Sequence, residues 1–392
     1  MNISDSQTLF DFPQEIIKQV ETPCYLISED AVRRNCRILA DVQQRTGARV
    51  LLALKAFALP ALFPVIREYL HGVCASGPIE AQLGREEFNR EVHTYAPAYT
   101  AAQMERVVHY SDHIIFNSIS QWRTHRQLVS RASHPVEVGL RVNPGHAEVE
   151  VDLYNPCLPG SRFGLNLEDL DGVDLTGISG LHFHALCEQD ADVLVRVLAS
   201  FEKRFGKYIN RMRWINFGGG HHITRSDYDL ELLCNTIADF RKRYGNISVY
   251  LEPGEAVVLN SGVFITSVID TIHKDMNIAI LDSSAEAHMP DVLAMPYRPH
   301  IVNSAKEKEL GHTYRLGGIS CLAGDIIGDY SFDTPLHAGQ RLVLTDMALY
   351  SFVKNNTFNG VELPAIYTCS SKENTLRLIR RFTYDDYRSR IA

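Results

Sequence analysis

The chain has 392 residues, 45% of them apolar, which suits about two globular domains and a large core. A formal charge of -8 with no basic run argues against nucleic-acid or acidic-membrane partners, and no apolar run reaches the roughly 18 residues of a membrane span. The eight cysteines (24, 36, 74, 157, 187, 234, 321 and 369) form no C-x-x-C pair and follow no cationic-then-apolar leader, so a reducing cytoplasm and no structural zinc are expected.

After a polar, acidic start, 22–27 reads as a strand. Ser28 with Glu29 and Asp30 then opens a helix whose apolar spacing runs from 31 to 45, before Gly47 stops it. Strand-like runs recur at 49–54, 72–75, 92–96, 113–116, 136–142, 178–184, 213–217 and 247–252. Helical spacing at 60–70, 79–88, 101–110, 121–132, 191–208 and 228–244 separates most of them. Eight strands alternating with helices count out a (β/α)8 barrel of TIM type over about 28–262, more naturally than an open sheet. Beyond Gly262 the pattern changes to strands joined by loops, at 263–272, 278–282, 313–316, 340–344 and 365–369. An α/β chain is therefore expected, with a β-rich domain over 263–392 that residues 1–27 join.

Five apolar residues, 50–54, deliver Lys55 to the end of the first barrel strand. Desolvation there lowers a lysine pKa from about 10.4 toward neutrality, as an amine that condenses with an aldehyde requires. By itself, a lysine that packs its stem and keeps its ammonium in water is the commoner arrangement. The other strand ends shift the balance, because a barrel of this type builds its active site there. They carry Ser76-Gly77, Asn117, Arg141, His184, Gly218-Gly219-Gly220 and Glu252-Pro-Gly254. A lone His184 is as readily a packed core residue, and a lone Glu252 a solvated acid. The glycines form either a tight turn or a place where backbone N–H groups approach a phosphate. An imine-forming lysine, a flat ring, a phosphate turn and a carboxylate on one set of strand ends together describe a pyridoxal phosphate site.

Those residues, with Leu54-Lys55-Ala56, Ser161-Arg-Phe-Gly-Leu165, Ser320-Cys321, Asp346-Met-Ala-Leu-Tyr350 and Thr357-Phe-Asn-Gly360, make the chain resemble the fold-type III pyridoxal-phosphate enzymes. That superfamily holds alanine racemase and the ornithine and diaminopimelate decarboxylases. Within it the chain is most similar to the carboxynorspermidine decarboxylase branch. The similarity rests on Glu255 in place of the usual arginine, on His288-Met-Pro-Asp-Val292 and Met295-Pro-Tyr-Arg298, and on Cys321-Leu-Ala-Gly-Asp325. The glycine and serine usual after the stacking histidine are here Leu186 and Cys187.

The resemblance implies roles for individual residues. Lys55 carries the cofactor, His184 stacks on its ring, Glu252 faces the pyridine nitrogen, and Gly218, Gly219, Gly220 and Tyr350 hold its phosphate. Cys321 donates a proton after CO2 leaves. Glu255, Glu286, Asp291 and Asp325 surround a polyamine substrate, and Arg298 holds its carboxylate or a nearby acid. It implies a homodimer with shared active sites. The competing readings are a decarboxylase of diaminopimelate or another basic amino acid, a racemase, and a regulatory homologue that has lost catalysis.

Overall fold

Eight short strands close into a barrel: β1 Arg49–Ala53, β2 Gly72–Ala75, β3 Glu91–Tyr95, β4 His113–Phe116, β5 Glu137–Arg141, β6 Gly180–His182, β7 Trp214–Asn216 and β8 Ser248–Leu251. Every neighbouring pair is parallel, and β1 closes on β8 through Arg49–Tyr250 and Val50–Leu251. Here is the (β/α)8 barrel that the strand–helix alternation implies. The computed structural model describes residues 11–392, and the barrel belongs to a unit spanning Arg34–Val257.

Period-two alternation along each strand sends every second side chain inward. Leu51, Ile115, Trp214 and Tyr250 meet there. Trp214 explains two glycines inside strands, since a Cβ at Gly180 or Gly139 would stand 2.1 or 2.3 Å from the indole. Outside, helices present apolar faces to the strands: Ala191–Ile209 buries Val193, Leu194, Val197, Leu198, Phe201 and Phe205. Thr100 and Gln103 form a reciprocal capping box at the start of Ala101–Tyr110. The expected helix over 60–70 is instead two short turns, Pro60–Leu62 and Phe63–Ile66, with a proline in the first turn of each.

The second unit joins the segment up to Arg33 with Val258–Ala392. Its sheet runs Ala305–Lys306, Ile326–Phe332, His312–Gly317, Asn277–Leu281, Gly262–His273, Cys24–Ser28, Ala365–Ser370 and Thr375–Arg380, while Arg341–Thr345 also pairs with Gly262–His273. Cys24–Ser28 lies between an antiparallel and a parallel neighbour, so all five of its residues are buried. Sequence periodicity misses Ile326–Phe332 because Gly328 and Asp329 imitate a turn inside it. It misses Thr375–Arg380 because that edge strand is largely solvent-facing and carries Arg377 and Arg380.

Candidate active site

Lys55 follows β1 at the C-terminal mouth of the barrel and is exposed, so the fold alone does not impose the desolvation expected from the sequence. Its charge is nonetheless felt by buried neighbours. Burial raises the pKa of Glu80, whose carboxylate accepts the Ser76 N–H at 2.6 Å, and the Lys55 ammonium pulls it back down. The Cys74 thiol is pushed well up, by burial first and by Glu252 second, with Lys55 opposing. Lys55, Cys74, Glu80 and Glu252 therefore share one electrostatic neighbourhood.

Glu252, just past β8, is held at both oxygens. Asn216 Nδ2 donates to Oε1 at 2.7 Å and His182 Nε2 lies 3.3 Å from Oε2. Burial works against its ionisation, but the His182 ring, then His93 and the Asn216 amide, outweigh it and bring the carboxyl to about 2. Burial also outweighs the pull of Glu252 on His182, whose pKa falls. The ring is thus neutral with its proton on Nε2, and its Nδ1 has no partner. A folded-state value below the ordinary 4.5 means that Glu252 adds stability above about pH 4.5, and this is lost as pH falls through about 2.

His184 Nδ1 accepts the Gly219 N–H at 2.9 Å, which leaves its proton on Nε2. Burial, then the charges of Lys55 and Arg141, hold its pKa well below the usual histidine range. Arg141 ends β5, donates to the His184 carbonyl at 3.2 Å, and lies 4.6 and 4.5 Å from the Tyr95 and Phe163 ring centroids. His182, Asn216 and Glu80 are not among the site residues expected from the sequence, and Arg141 enters that reading only as a strand end without a role. Strand alternation could have found the first two: His182 shares a face with His184, and Asn216 with Gly218.

The glycine turn answers the expectation of a phosphate cradle in a modified form. Gly218 and Gly220 have φ of 71° and 89°, and a Cβ at Gly219 or Gly220 would stand 2.1 Å from the Glu252 carbonyl or 1.9 Å from that of Leu186. The Gly219 N–H is taken by His184, whereas no acceptor among the described residues pairs with the N–H of Gly220 or Gly254. Each of these N–H groups is a donor that an anionic group can take. Glu255, next along, is 3.2 Å from His222 Nε2, and Arg225 is 3.2 Å from His222 Nδ1.

In the sheet unit the expected residues separate by environment. Cys321 is exposed in a loop, its N–H donating to Asn359 Oδ1 at 2.7 Å. Asp325 is buried: Oδ1 accepts the N–H groups of Ala285 at 2.7 Å and Glu286 at 3.3 Å, and Oδ2 accepts that of Ser320 at 3.1 Å. It braces the Cys321 loop and the turn that carries Glu286. Asp291 is paired with Lys354 at 2.7 Å, and that ammonium lies 5.2 Å from the Tyr350 ring centroid. Arg298 lies over Tyr330 at 3.7 Å and donates to the carbonyls of Asp329 and Ala305, which turns it onto its own unit. Only Glu286, of the three acids in this unit, keeps a carboxylate with no partner among the described residues. Asp325→Asn should cut turnover about tenfold or more, since each charged hydrogen bond is worth about 1.5–3 kcal/mol, while the barrel residues are left unchanged. A wild-type kcat in that variant would show that the loop holds itself.

Residues 24–348 match the model of a family described as pyridoxal-dependent decarboxylase, C-terminal sheet domain. The chain belongs to the pyridoxal-dependent decarboxylases. This decarboxylase is 43% identical to a carboxynorspermidine/carboxyspermidine decarboxylase of Campylobacter jejuni, over 94% of its own length and 98% of the relative's. It is 42% identical to a carboxyaminopropylagmatine decarboxylase of Synechocystis, over 96% and 97% of the two chains. Among solved structures, the Campylobacter jejuni carboxynorspermidine decarboxylase in complex with norspermidine superposes with a TM-score of 0.87 at 42% identity, covering 95% of this chain and all of that one.

The site residues of the decarboxylase suit pyridoxal phosphate on their own geometry. They offer an accessible amine at Lys55, a carboxylate kept ionised at Glu252, a neutral ring at His184 and, at Gly220 and Gly254, two amide donors with no partner among the described residues. His182→Leu should therefore raise the pKa of Glu252 and move the acid limb of kcat/KM to higher pH, with cofactor still bound. Superimposable acid limbs would remove His182 from this role.

Proposed function

We propose that this decarboxylase acts on carboxynorspermidine and carboxyspermidine, releasing CO2 and leaving norspermidine and spermidine for polyamine biosynthesis. The observation that carries this reading is the full-length likeness to the Campylobacter jejuni enzyme. CO2 release by the purified protein from a panel of carboxylated polyamines and basic amino acids tests it. The panel includes carboxyaminopropylagmatine, since a relative of nearly equal identity is named for it.

Lys55 Nζ is the amine that would hold the cofactor aldehyde. Pyridoxal phosphate held there would supply the electron sink that decarboxylation at the α-carbon needs. Glu252, ionised and aligned by His182 and Asn216, would supply the negative charge for the pyridine nitrogen. His184 would pack against the ring, and the Gly220 and Gly254 N–H groups would hold the phosphate, a role the family resemblance also gives to Tyr350. Cys321 Sγ then gives its proton to the α-carbon, so one C–C bond breaks and one C–H bond forms. Glu286 is the acid assigned to a substrate ammonium, because no partner among the described residues satisfies its charge.

The sites form across a homodimer, each Cys321 loop serving the partner's barrel. Exposed apolar residues beside Cys321 support this: Ile319 is 48% exposed, Leu322 40% and Phe358 43%. Eight cysteines without a disulfide support a cytoplasmic location. No helix among the described residues is long and apolar enough to cross a membrane.

A further inference from the structure

We propose that the N-terminal floor of the barrel is a site for a divalent cation of the zinc class, held by Glu91, His93, His113 and His71. Glu91 opens β3, His93 follows it by two residues, and His113 opens β4, so the cluster lies at the opposite strand ends from Lys55. His93 Nε2 is 2.8 Å and His113 Nε2 3.8 Å from Glu91 Oε1, and His71 Nε2 is 3.2 Å from Oε2. Ligand atoms around a tetrahedral zinc, at about 2.0–2.1 Å from the metal, stand about 3.3 Å from one another, which these separations bracket. Cysteine spacing argues only against a thiolate centre. This one uses imidazole and carboxylate, a donor set that also suits zinc.

A second observation points to a ligand. His113 is 6% exposed, its Nδ1 has no partner, and its Nε2 stands too far from Glu91 for a hydrogen bond. The buried unpaired atom is Nδ1, while Nε2 makes no hydrogen bond to a described residue, which leaves its lone pair to a cation. The rings of His93 and His113 are stacked at 3.8 Å and 10° from parallel, so binding must splay them until both Nε2 lone pairs converge. Arg49 lies 3.9 Å from Glu91 Oε2 but donates to the Tyr250 hydroxyl at 2.6 Å, which leaves Oε1 to the ion. His71, only half-buried, gives solvent a way in.

Tag-free holoenzyme stripped with a chelator, loaded with Zn2+ and passed through a desalting column should retain about one zinc per chain. Glu91→Gln and His113→Ala should each weaken binding more than about a hundredfold, because losing even an outer-shell partner costs 10–100-fold. Zinc should raise the melting temperature of wild type and not of the variants. Decarboxylation should be unchanged in all three proteins, and cofactor absorbance reports that each is folded. If His113→Ala fails that check, His113→Gln replaces it. Retention below about a tenth of an equivalent by wild type, or equal zinc in wild type and variants, would overturn the site.

Discussion

Lys55→Ala should bind no cofactor through its side chain, lose the visible absorbance of the holoenzyme and lose at least about a thousandfold in kcat, since alanine offers no amine to the cofactor aldehyde. Borohydride reduction of wild type should fix the cofactor on the peptide containing Lys55, and a label elsewhere would refute the assignment. Complete absence of absorbance in wild type would favour the regulatory homologue instead. Cys321→Ala should keep the absorbance and lose turnover, because the proton at Sγ is needed only after CO2 has left. Combining the two inactive proteins tests the shared site. Equal mixing makes about half of the dimers hybrid, and each hybrid regains one intact site, so roughly a quarter of wild-type activity should return. No recovery would mean that both residues serve the same subunit's site.

The barrel was legible in the sequence because its signal is periodic and long. Eight apolar strand runs separated by amphipathic helices leave few other folds, and the strand ends then point to Lys55, His184, the glycine turn and Glu252. The supports of those residues were less legible. His182 reads as one more histidine in an apolar strand, and only the closed barrel shows its Nε2 beside the Glu252 carboxylate. Desolvation of Lys55 was inferred from the run before it, yet a strand end can leave its last side chain in the open mouth, and here it does. The acids show the limit most clearly. Asp291, Asp325 and Glu286 look alike in sequence, but Lys354 neutralises the first, three backbone N–H groups occupy the second, and only the third keeps its charge unmatched. Charge counting cannot separate them, because what differs is the partner each meets through contacts distant in the chain.

That distinction makes substrate selection the second large effect. A carboxylated triamine carries a secondary and a distal primary ammonium beyond its reacting carbon. Each charged hydrogen bond that these make with a partly desolvated carboxylate is worth about 1.5–3 kcal/mol. Ornithine and lysine lack one of those cations and should lose roughly tenfold or more in kcat/KM for each missing contact. Diaminopimelate should fare worse, because its far carboxylate would meet Glu286 or Glu255 as a like charge. Glu286→Gln should then depress kcat/KM for carboxynorspermidine much more than for lysine, and the difference should shrink at high salt if the contact is solvent-accessible. Glu255→Gln discriminates further: its carboxylate is already beside His222, so a smaller loss is expected there than at Glu286. Comparable kcat/KM in wild type for the triamines, lysine, ornithine and diaminopimelate would sink the polyamine reading, and equal losses on both substrates in Glu286→Gln would take Glu286 out of it.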